Sequence, residues 1–248
     1  RPKEVYQYAL DLLNLVYEEA ISPTILLKEI YRQLIFVRDQ NERRIGELIA
    51  ALKTTKGAQP LSSEQIITII QQHLISANAS RLPTLIVDAA YSAVGEKIGE
   101  YARPLNAHNA ADSQTGAFGD IEITLCNDEN IITCYEMKDK RVTTYDIDLA
   151  LQKVAKSKNS LDNYIFITTD VIDPLVEEYA RNLYNETGVE FAILDCIGFI
   201  RHFLHFFHRS RTQFLEAYQD KVLAEPNSSV GQPLKEVFLA LRAAAEAG

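Results

Sequence analysis

Three residues of this 248-residue chain have the chemical types and the spacing of a hydrolytic site. Asp120 begins an alternating polar and apolar run, and Glu136 and Lys138 stand at the end of a second, mostly apolar run. Residues two apart on a β-strand point to the same face, so the side chains of Glu136 and Lys138 would project together. Two converging carboxylates suit Mg²⁺, and an adjacent lysine can position or activate water and stabilise charge on a phosphate oxygen. The pattern therefore predicts metal-assisted phosphodiester hydrolysis.

A β-hairpin must bring these residues together, with turn-forming residues at positions 127–130 between its strands. If the two ends of that turn pair directly, Asp120 faces Met137 and points away from Glu136 and Lys138. A shared site therefore requires an odd-length turn or a β-bulge between Asp120 and Glu136, and we predict one. The competing hypothesis makes Glu136 and Lys138 solvent-facing strand residues and Asp120 a turn or cap residue.

The remaining elements alternate between helices and strands. Helical spacing of apolar residues predicts four helices before the hairpin, and the capping-box sequence Ser62-Ser63-Glu64-Gln65 marks the start of the third. This order is typical of an α/β fold in which a mixed sheet is flanked by helices and preceded by a helical N-terminal region. The predicted helices are 5–20, 24–53, 66–74, 83–102, 146–158, 174–187, 197–220 and 234–246, and the predicted strands are 120–125, 131–137, 164–168 and 189–194.

The order of elements between residue 83 and about residue 194 resembles the PD-(D/E)xK nuclease superfamily. In that superfamily a helix precedes a hairpin that carries an acid and a Glu-x-Lys motif, and a helix and a strand follow. The proline that usually precedes the acid is Gly119 here. The resemblance implies a restriction-endonuclease-like core in which Asp120 and Glu136 bind Mg²⁺ and Lys138 is the catalytic lysine.

Among the branches of this superfamily, the chain looks most like a type II restriction endonuclease, which cleaves double-stranded DNA. Its size, its helical N-terminal extension and the lack of ATPase motifs favour that branch. We expect residues 1–82 to form the helical region and residues 83–248 to form the nuclease core with its C-terminal helices. A type II enzyme would act as a homodimer in the cytoplasm of a bacterial or archaeal cell. Two alternatives stay open: a repair or junction-resolving nuclease of the same fold, and a non-catalytic α/β binding module.

The charge distribution bears on how DNA would be bound. The formal charge of −9 argues against a protein that merely coats nucleic acid, so any DNA contact needs a local basic surface. Residues 137–158 include six basic and three acidic residues, which makes this segment positive beside the predicted site. Hydroxyl groups in the segment add donors for phosphate or base edges. The predicted DNA contacts are Lys140, Arg141, Thr143, Thr144, Lys153 and Lys156.

Further acids near the hairpin are candidates to assist the site. Glu122 is two residues past Asp120 and would share its face. Glu96 and Glu100 are one helical turn apart on the helix predicted before the hairpin, and superfamily members often supply another acid from that helix. Glu96 and Glu100 are better explained as solvated helix residues than as members of the site.

Other reactive residue types favour no second chemistry. Three cysteines without a CxxC spacing indicate neither a disulfide framework nor a thiolate zinc site. His202, His205 and His208 are three apart, but the phenylalanines between them favour a helix with one buried face over a zinc site. No apolar run approaches the roughly 18 residues that span a bilayer, so no membrane partner is expected.

Overall fold

The computed structural model describes residues 3–54, 59–105, 117–156 and 161–247, and the chain divides into two compact units, residues 1–50 and 51–248. Lys158, counted above in the basic segment, lies outside the described residues. The first unit contains α1 (Lys3–Tyr17) and most of α2 (Pro23–Thr54). No residue of α1 is buried. None of the helices in the described ranges is long and apolar enough to cross a membrane.

A five-stranded mixed sheet forms the centre of the second unit, with its strands in sequence order. The first three strands pair antiparallel and the last three pair parallel. The predicted α/β class, with a mixed sheet flanked by helices and a helical N-terminal region, is confirmed. The strands are β1 (Glu100–Ala102), β2 (Ile121–Leu125), β3 (Ile131–Lys138), β4 (Asn163–Thr168) and β5 (Glu190–Asp195). The helices are α3 (Ser63–Leu74), α4 (Leu82–Ile98), α5 (Thr144–Lys156), α6 (Pro174–Asn182), α7 (Tyr184–Thr187), α8 (Cys196–Phe206), α9 (Arg211–Ala224) and α10 (Gln232–Ala247), with a 3₁₀ helix at His208–Ser210.

Different helices cover the two faces of the sheet. On one face, Tyr164 of β4 packs in a buried cluster with Ile147 of α5. On the other face, Tyr91 of α4 and Phe199 of α8 make edge-on ring contacts with Tyr135 of β3. Removing these large side chains from water stabilises the sheet on both sides. The polar residues of β3 lie toward its carboxyl end, the end of a parallel strand at which α/β proteins commonly bind ligands.

The starts of two helices have a clear cause in the sequence. Pro23 is the first residue of α2, where a fixed φ and a missing N–H suit a helix start. The side chain of Ser62 accepts from the backbone N–H of Gln65, and the side chain of Gln65 accepts from the backbone N–H of Ser62. This reciprocal pair is the predicted capping box of α3.

The helix predicted to end near residue 102 ends at Ile98 and is followed by a short strand. Gly99 adopts a left-handed conformation, with φ of 79°, and donates its N–H to the carbonyl of Gly95. This is a common way for glycine to end a helix. Glu100 therefore lies on β1, which corrects the prediction that Glu96 and Glu100 share a helix. A strand of three residues is too short to show an alternating pattern.

Two other predicted helices are each divided. The helix predicted for residues 174–187 becomes α6 and α7, because Leu183 donates its N–H to Ala180, three residues back, and this tightens the turn. The helix predicted for residues 197–220 is interrupted at Phe207, whose φ of −104° and ψ of 41° are not helical. The interruption allows Phe203 to pack against both Phe207 and Phe214.

Candidate active site

A β-bulge sets the register that brings Asp120 and Glu136 to the same face of the sheet. The register shifts within the hairpin, and beyond the shift Ile121 pairs with Tyr135. One step further along this register Asp120 lies opposite Glu136, and opposed residues share a face. The backbone N–H of Asp120 donates to the carbonyl of Tyr135 at 2.9 Å, so the chain at Asp120 is still hydrogen-bonded to β3. The predicted bulge is confirmed.

Glu136 is held by three side chains from three elements. Its Oε1 accepts from Nζ of Lys138, on the same strand, at 3.0 Å. Its Oε2 lies 2.7 Å from the hydroxyl of Tyr164 on β4 and 3.4 Å from Nζ of Lys153 on α5. Two ammonium groups and a hydroxyl therefore fix the position of one carboxylate. The side chain of Glu136 is 17% exposed, so these bonds form where water competes little.

Lys138 lies between two carboxylates. Its Nζ is 3.0 Å from Oε1 of Glu136 and 3.3 Å from Oδ1 of Asp146. Burial by itself would lower the pKa of Lys138, but the two carboxylates outweigh burial and raise the pKa above its ordinary value of 10.5. Lys138 therefore carries its proton at neutral pH, which suits hydrogen-bond donation and charge stabilisation rather than proton abstraction.

Asp146 is a part of the site that the sequence patterns did not identify. It lies in the first turn of α5, and its Oδ2 accepts from the N–H of Thr143 at 3.0 Å and from its hydroxyl at 2.6 Å. Burial opposes ionisation, but the bonds from Thr143 and the charge of Lys138 leave the pKa of Asp146 below its ordinary value. An ionised Asp146 is therefore a second anion that anchors the ammonium group of Lys138. We call the following set the acid–lysine cluster: Asp120, Glu136, Lys138, Asp146, Lys153 and Tyr164.

The side chain of Asp120 is held by the opposite strand, and Gly119 before it lies close against that strand. The N–H of Met137 donates to Oδ2 of Asp120 at 2.7 Å. A Cβ atom at Gly119 would lie 2.6 Å from Sγ of Cys134 and 2.7 Å from the carbonyl oxygen of Tyr135. No side chain fits there unless its neighbours move. This explains why the chain has glycine at the position where members of the superfamily that it resembles usually have proline.

Glu122 supports the loop that leads into β2. Its Oε1 accepts from the backbone N–H of Phe118 at 2.9 Å. The carbonyl oxygen of Phe118 in turn lies 2.9 Å from the hydroxyl of Tyr164 and 3.3 Å from Nζ of Lys153. This loop is therefore held by Glu122 and by Tyr164 and Lys153, two of the three side chains that hold Glu136.

The two acids considered before the hairpin do not join the acid–lysine cluster. Glu96 is exposed on α4. Glu100 pairs with Leu125 of β2, so the two side chains share a face of the sheet. Leu125 is five residues after Asp120, and an odd separation along a strand puts Leu125, and with it Glu100, on the face opposite to Asp120. The carboxylate of Glu100 instead interacts with Tyr91, on the face covered by α4.

The basic segment divides into residues inside the cluster and residues at the neighbouring surface. Lys138 and Lys153 face the cluster, and the side chain of Lys153 is 31% exposed. The hydroxyl of Thr143, predicted to contact DNA, donates to Asp146. The remaining predicted DNA contacts are exposed at the surface: Lys140, Arg141, Thr144 and Lys156.

Tyr164 gave a weaker signal in the sequence than the acids did. It lies in a run typical of a buried strand, and its side chain is fully buried. A buried tyrosine hydroxyl needs a hydrogen-bond partner, so a tyrosine in such a run is a hint of a nearby polar group. The pattern does not show that this group is Glu136, because β4 pairs with β3 across a long connection.

The oxygen donors of the cluster fit Mg²⁺. Among the residues that the structure describes, no group of three or more His, Cys, Asp or Glu side chains is placed to hold a metal, so a zinc site with a full set of side-chain ligands is not found there. Proteins often bind Mg²⁺ through only one or two carboxylates, and water and substrate phosphate complete its coordination. The carboxylates of Asp120 and Glu136, which share a face, meet this requirement.

Two histidines of α8, His202 and His205, have structural partners. Nε2 of His205 lies 2.8 Å from Oε1 of Glu64, and Oε2 of the same carboxylate pairs with Arg201 at 3.7 Å. His202 stacks on Phe206. These contacts agree with the earlier preference for a helix surface over a zinc site.

Residues 58–169, under half of the chain, match the family described as the SacI restriction endonuclease C-terminal domain. The matched segment begins just before α3, ends just after β4, and contains the whole acid–lysine cluster. A search of curated proteins found no match. This part of the chain is therefore similar to a domain of a restriction-type nuclease.

Proposed function

We propose that this protein is a Mg²⁺-dependent endonuclease of the PD-(D/E)xK type that hydrolyses phosphodiester bonds in duplex DNA at specific sequences, as type II restriction endonucleases do. One observation carries the proposal: the bulged hairpin puts Asp120 and Glu136 on one face, where Lys138 and Lys153 both bond to Glu136. Carboxylates for a cation, with ammonium groups beside them, suit the hydrolysis of an anionic ester.

The similarity of residues 58–169 to a restriction endonuclease domain supports the same activity. All six members of the acid–lysine cluster fall within the matched segment, although the match by itself assigns no role to any of them. The agreement between the local geometry and the matched family favours a nuclease over a non-catalytic α/β binding module.

The residues of the cluster have distinct roles in this proposal. Asp120 and Glu136 would hold Mg²⁺, which when bound lowers the pKa of water and neutralises charge on the scissile phosphate. Lys138, protonated and anchored by Asp146, donates a hydrogen bond to a phosphate oxygen. Lys153 and Tyr164 keep the Glu136 carboxylate in position.

The exposed cations beside the cluster are suited to the DNA backbone. Lys140 and Arg141 lie in the loop between β3 and α5, and Lys156 ends α5, so all three adjoin the elements that carry the cluster. Cations in such positions neutralise phosphates and fix the orientation of the duplex. A homodimer would present two such sites to the two strands of a palindromic sequence.

The direct test is incubation of the full chain with several unmethylated phage-sized duplex DNAs, with Mg²⁺ and separately with EDTA. Discrete fragments that form only with Mg²⁺ are expected, and the Lys138→Gln variant should form none. A continuous smear would favour a repair or junction-resolving nuclease over a type II enzyme. Cleavage in EDTA, or no cleavage of any of the DNAs, would contradict the proposal.

A further inference from the structure

Two oxygen atoms from different parts of the chain converge on the ammonium group of Lys153. Its Nζ lies 3.3 Å from the carbonyl oxygen of Phe118, in the loop before β2, and 3.4 Å from Oε2 of Glu136 on β3. The hydroxyl of Tyr164 lies 2.9 Å and 2.7 Å from the same two oxygens. We call these three oxygen atoms, of Phe118, Glu136 and Tyr164, the oxygen triad.

The oxygen triad needs a positive charge beside it. A tyrosine hydroxyl carries one hydrogen, so Tyr164 can donate fully to Phe118 or to Glu136 but not to both. Without another donor, one of these acceptors would face the tyrosine oxygen with no hydrogen between them. Lys153 has three N–H donors and lies within reach of both acceptors. Because Tyr164 is fully buried, water has little room to take over this role.

The position of this ammonium group is one that a metal ion could take. Carboxylate and backbone carbonyl oxygens are usual protein ligands of hard divalent cations. Enzymes that cleave phosphodiesters with two ions hold them roughly 3.5–4 Å apart, close enough for one carboxylate to contact both. Glu136 is a proposed Mg²⁺ ligand. Its Oε2 and the carbonyl of Phe118 are therefore the oxygens that a second ion beside the first would use.

The charge of the acid–lysine cluster also favours a single ion. With every acid and lysine ionised, its three carboxylates and two ammonium groups leave one negative charge. One Mg²⁺ and one phosphodiester bring that charge to zero, whereas a second Mg²⁺ would leave two positive charges. Uncompensated charge is costly among partly buried side chains such as Glu136, Lys138 and Asp146.

We propose that the ammonium group of Lys153 is a fixed cation that takes the place of a second metal ion, so that the acid–lysine cluster binds one divalent cation. The fixed cation satisfies the oxygen triad and adds a positive charge beside the scissile phosphate, which a second metal ion would otherwise supply. This inference rests on the proposed function, because it concerns the same site.

Counting bound Mn²⁺ by electron paramagnetic resonance tests the inference without DNA. The full chain is titrated with Mn²⁺, and Glu136→Gln serves as the blank that subtracts weak binding elsewhere on the surface. One ion per chain is expected for the unmodified protein and for Lys153→Arg, which keeps a cation. Lys156→Ala, which removes an exposed cation from the same helix, should also bind one. Lys153→Ala should bind two, because its oxygen triad lacks the ammonium group.

The spectrum shows whether the second ion lies beside the first. Two Mn²⁺ ions that share Glu136, about 3.5–4 Å apart, would give a spin-coupled spectrum, whereas distant ions would not. Two coupled ions in the unmodified protein, or a single ion in Lys153→Ala, would overturn the inference and leave the proposed nuclease activity standing. No binding by the unmodified protein above the Glu136→Gln blank would contradict the proposed metal site, and the inference with it.

Discussion

The hydroxyl of Tyr164 lies 2.7 Å from Oε2 of Glu136, although the two residues are on neighbouring strands that are joined through α5. Tyr164 is fully buried, so its hydroxyl has little access to water as an alternative partner. The same hydroxyl lies 2.9 Å from the carbonyl of Phe118, in the loop before Asp120. One tyrosine therefore connects a carboxylate of β3 with the segment that positions the acid of β2.

Replacement of Tyr164 by Phe should lower the cleavage rate and raise the Mg²⁺ concentration required for half-maximal cleavage. The ring is kept, but a hydrogen bond to a charged group is lost, so roughly a 10- to 100-fold decrease in rate is expected. Tyr179→Phe is the matched control, because Tyr179 donates to Asp148 at 2.6 Å and lies outside the acid–lysine cluster. Equal cleavage rates and equal Mg²⁺ requirements in the two variants would show that the hydroxyl of Tyr164 does not position Glu136 for catalysis.

Lys153 and Lys156 are three residues apart on α5 and should have different effects. Lys153→Ala removes a cation that contacts Glu136, so cleavage at saturating DNA should fall by about 100-fold. Lys156→Ala removes an exposed cation, so cleavage at low salt should persist and the slope of log K against log salt should become shallower by about 1. Filter binding over a salt series, together with cleavage rates, measures both quantities. A Lys153→Ala variant that changes only the salt slope would place that residue on the DNA backbone instead.

Gly119→Ala should destabilise the second unit by about 1–3 kcal/mol, because the added Cβ would overlap Cys134 and the backbone of β3. Gly231→Ala is the control in the same unit, since the nearest atom to its added Cβ is 3.7 Å away, an ordinary contact. Its effect should stay within about 0.5 kcal/mol. Urea unfolding followed by circular dichroism gives both free energies. Similar free energies for the two variants would mean that residue 119 tolerates a side chain.

His73 should make stability depend on pH. Burial lowers the pKa of His73 from 6.5 to about 4, and its hydrogen bond to the carbonyl of Leu234 only partly opposes this. Because the unfolded chain takes up the proton first, stability is complete above pH 6.5 and decreases as the pH falls toward 4, by about 3 kcal/mol from this residue. His73→Gln should lose this part of the pH dependence when unfolding free energies at pH 7 and pH 4 are compared. An unchanged difference would show that His73 does not titrate in that range.

The sequence allowed the three residues of the motif and the bulge between them to be predicted, because strand alternation and turn length fix which faces can meet. It also allowed the α/β class and most element positions to be predicted from apolar periodicity. Asp146 and Tyr164 could not be placed, because their partners are set by the parallel pairing of β3 with β4 and by the packing of α5. The sequence predicted a helix at Glu100 because the apolar pattern of α4 continues past Gly99, the residue at which the helix ends.

The central claim is that Asp120 acts with Glu136 and Lys138 in one metal-dependent site, and one comparison of cleavage rates tests it most directly. Asp120→Asn keeps the shape of the side chain and removes its charge, so Mg²⁺-dependent cleavage of duplex DNA should fall by at least 100-fold while DNA is still bound. Asp128→Asn, at the exposed turn at the far end of the same hairpin, should cleave like the unmodified protein. Cleavage by Asp120→Asn at the rate of Asp128→Asn would contradict the account.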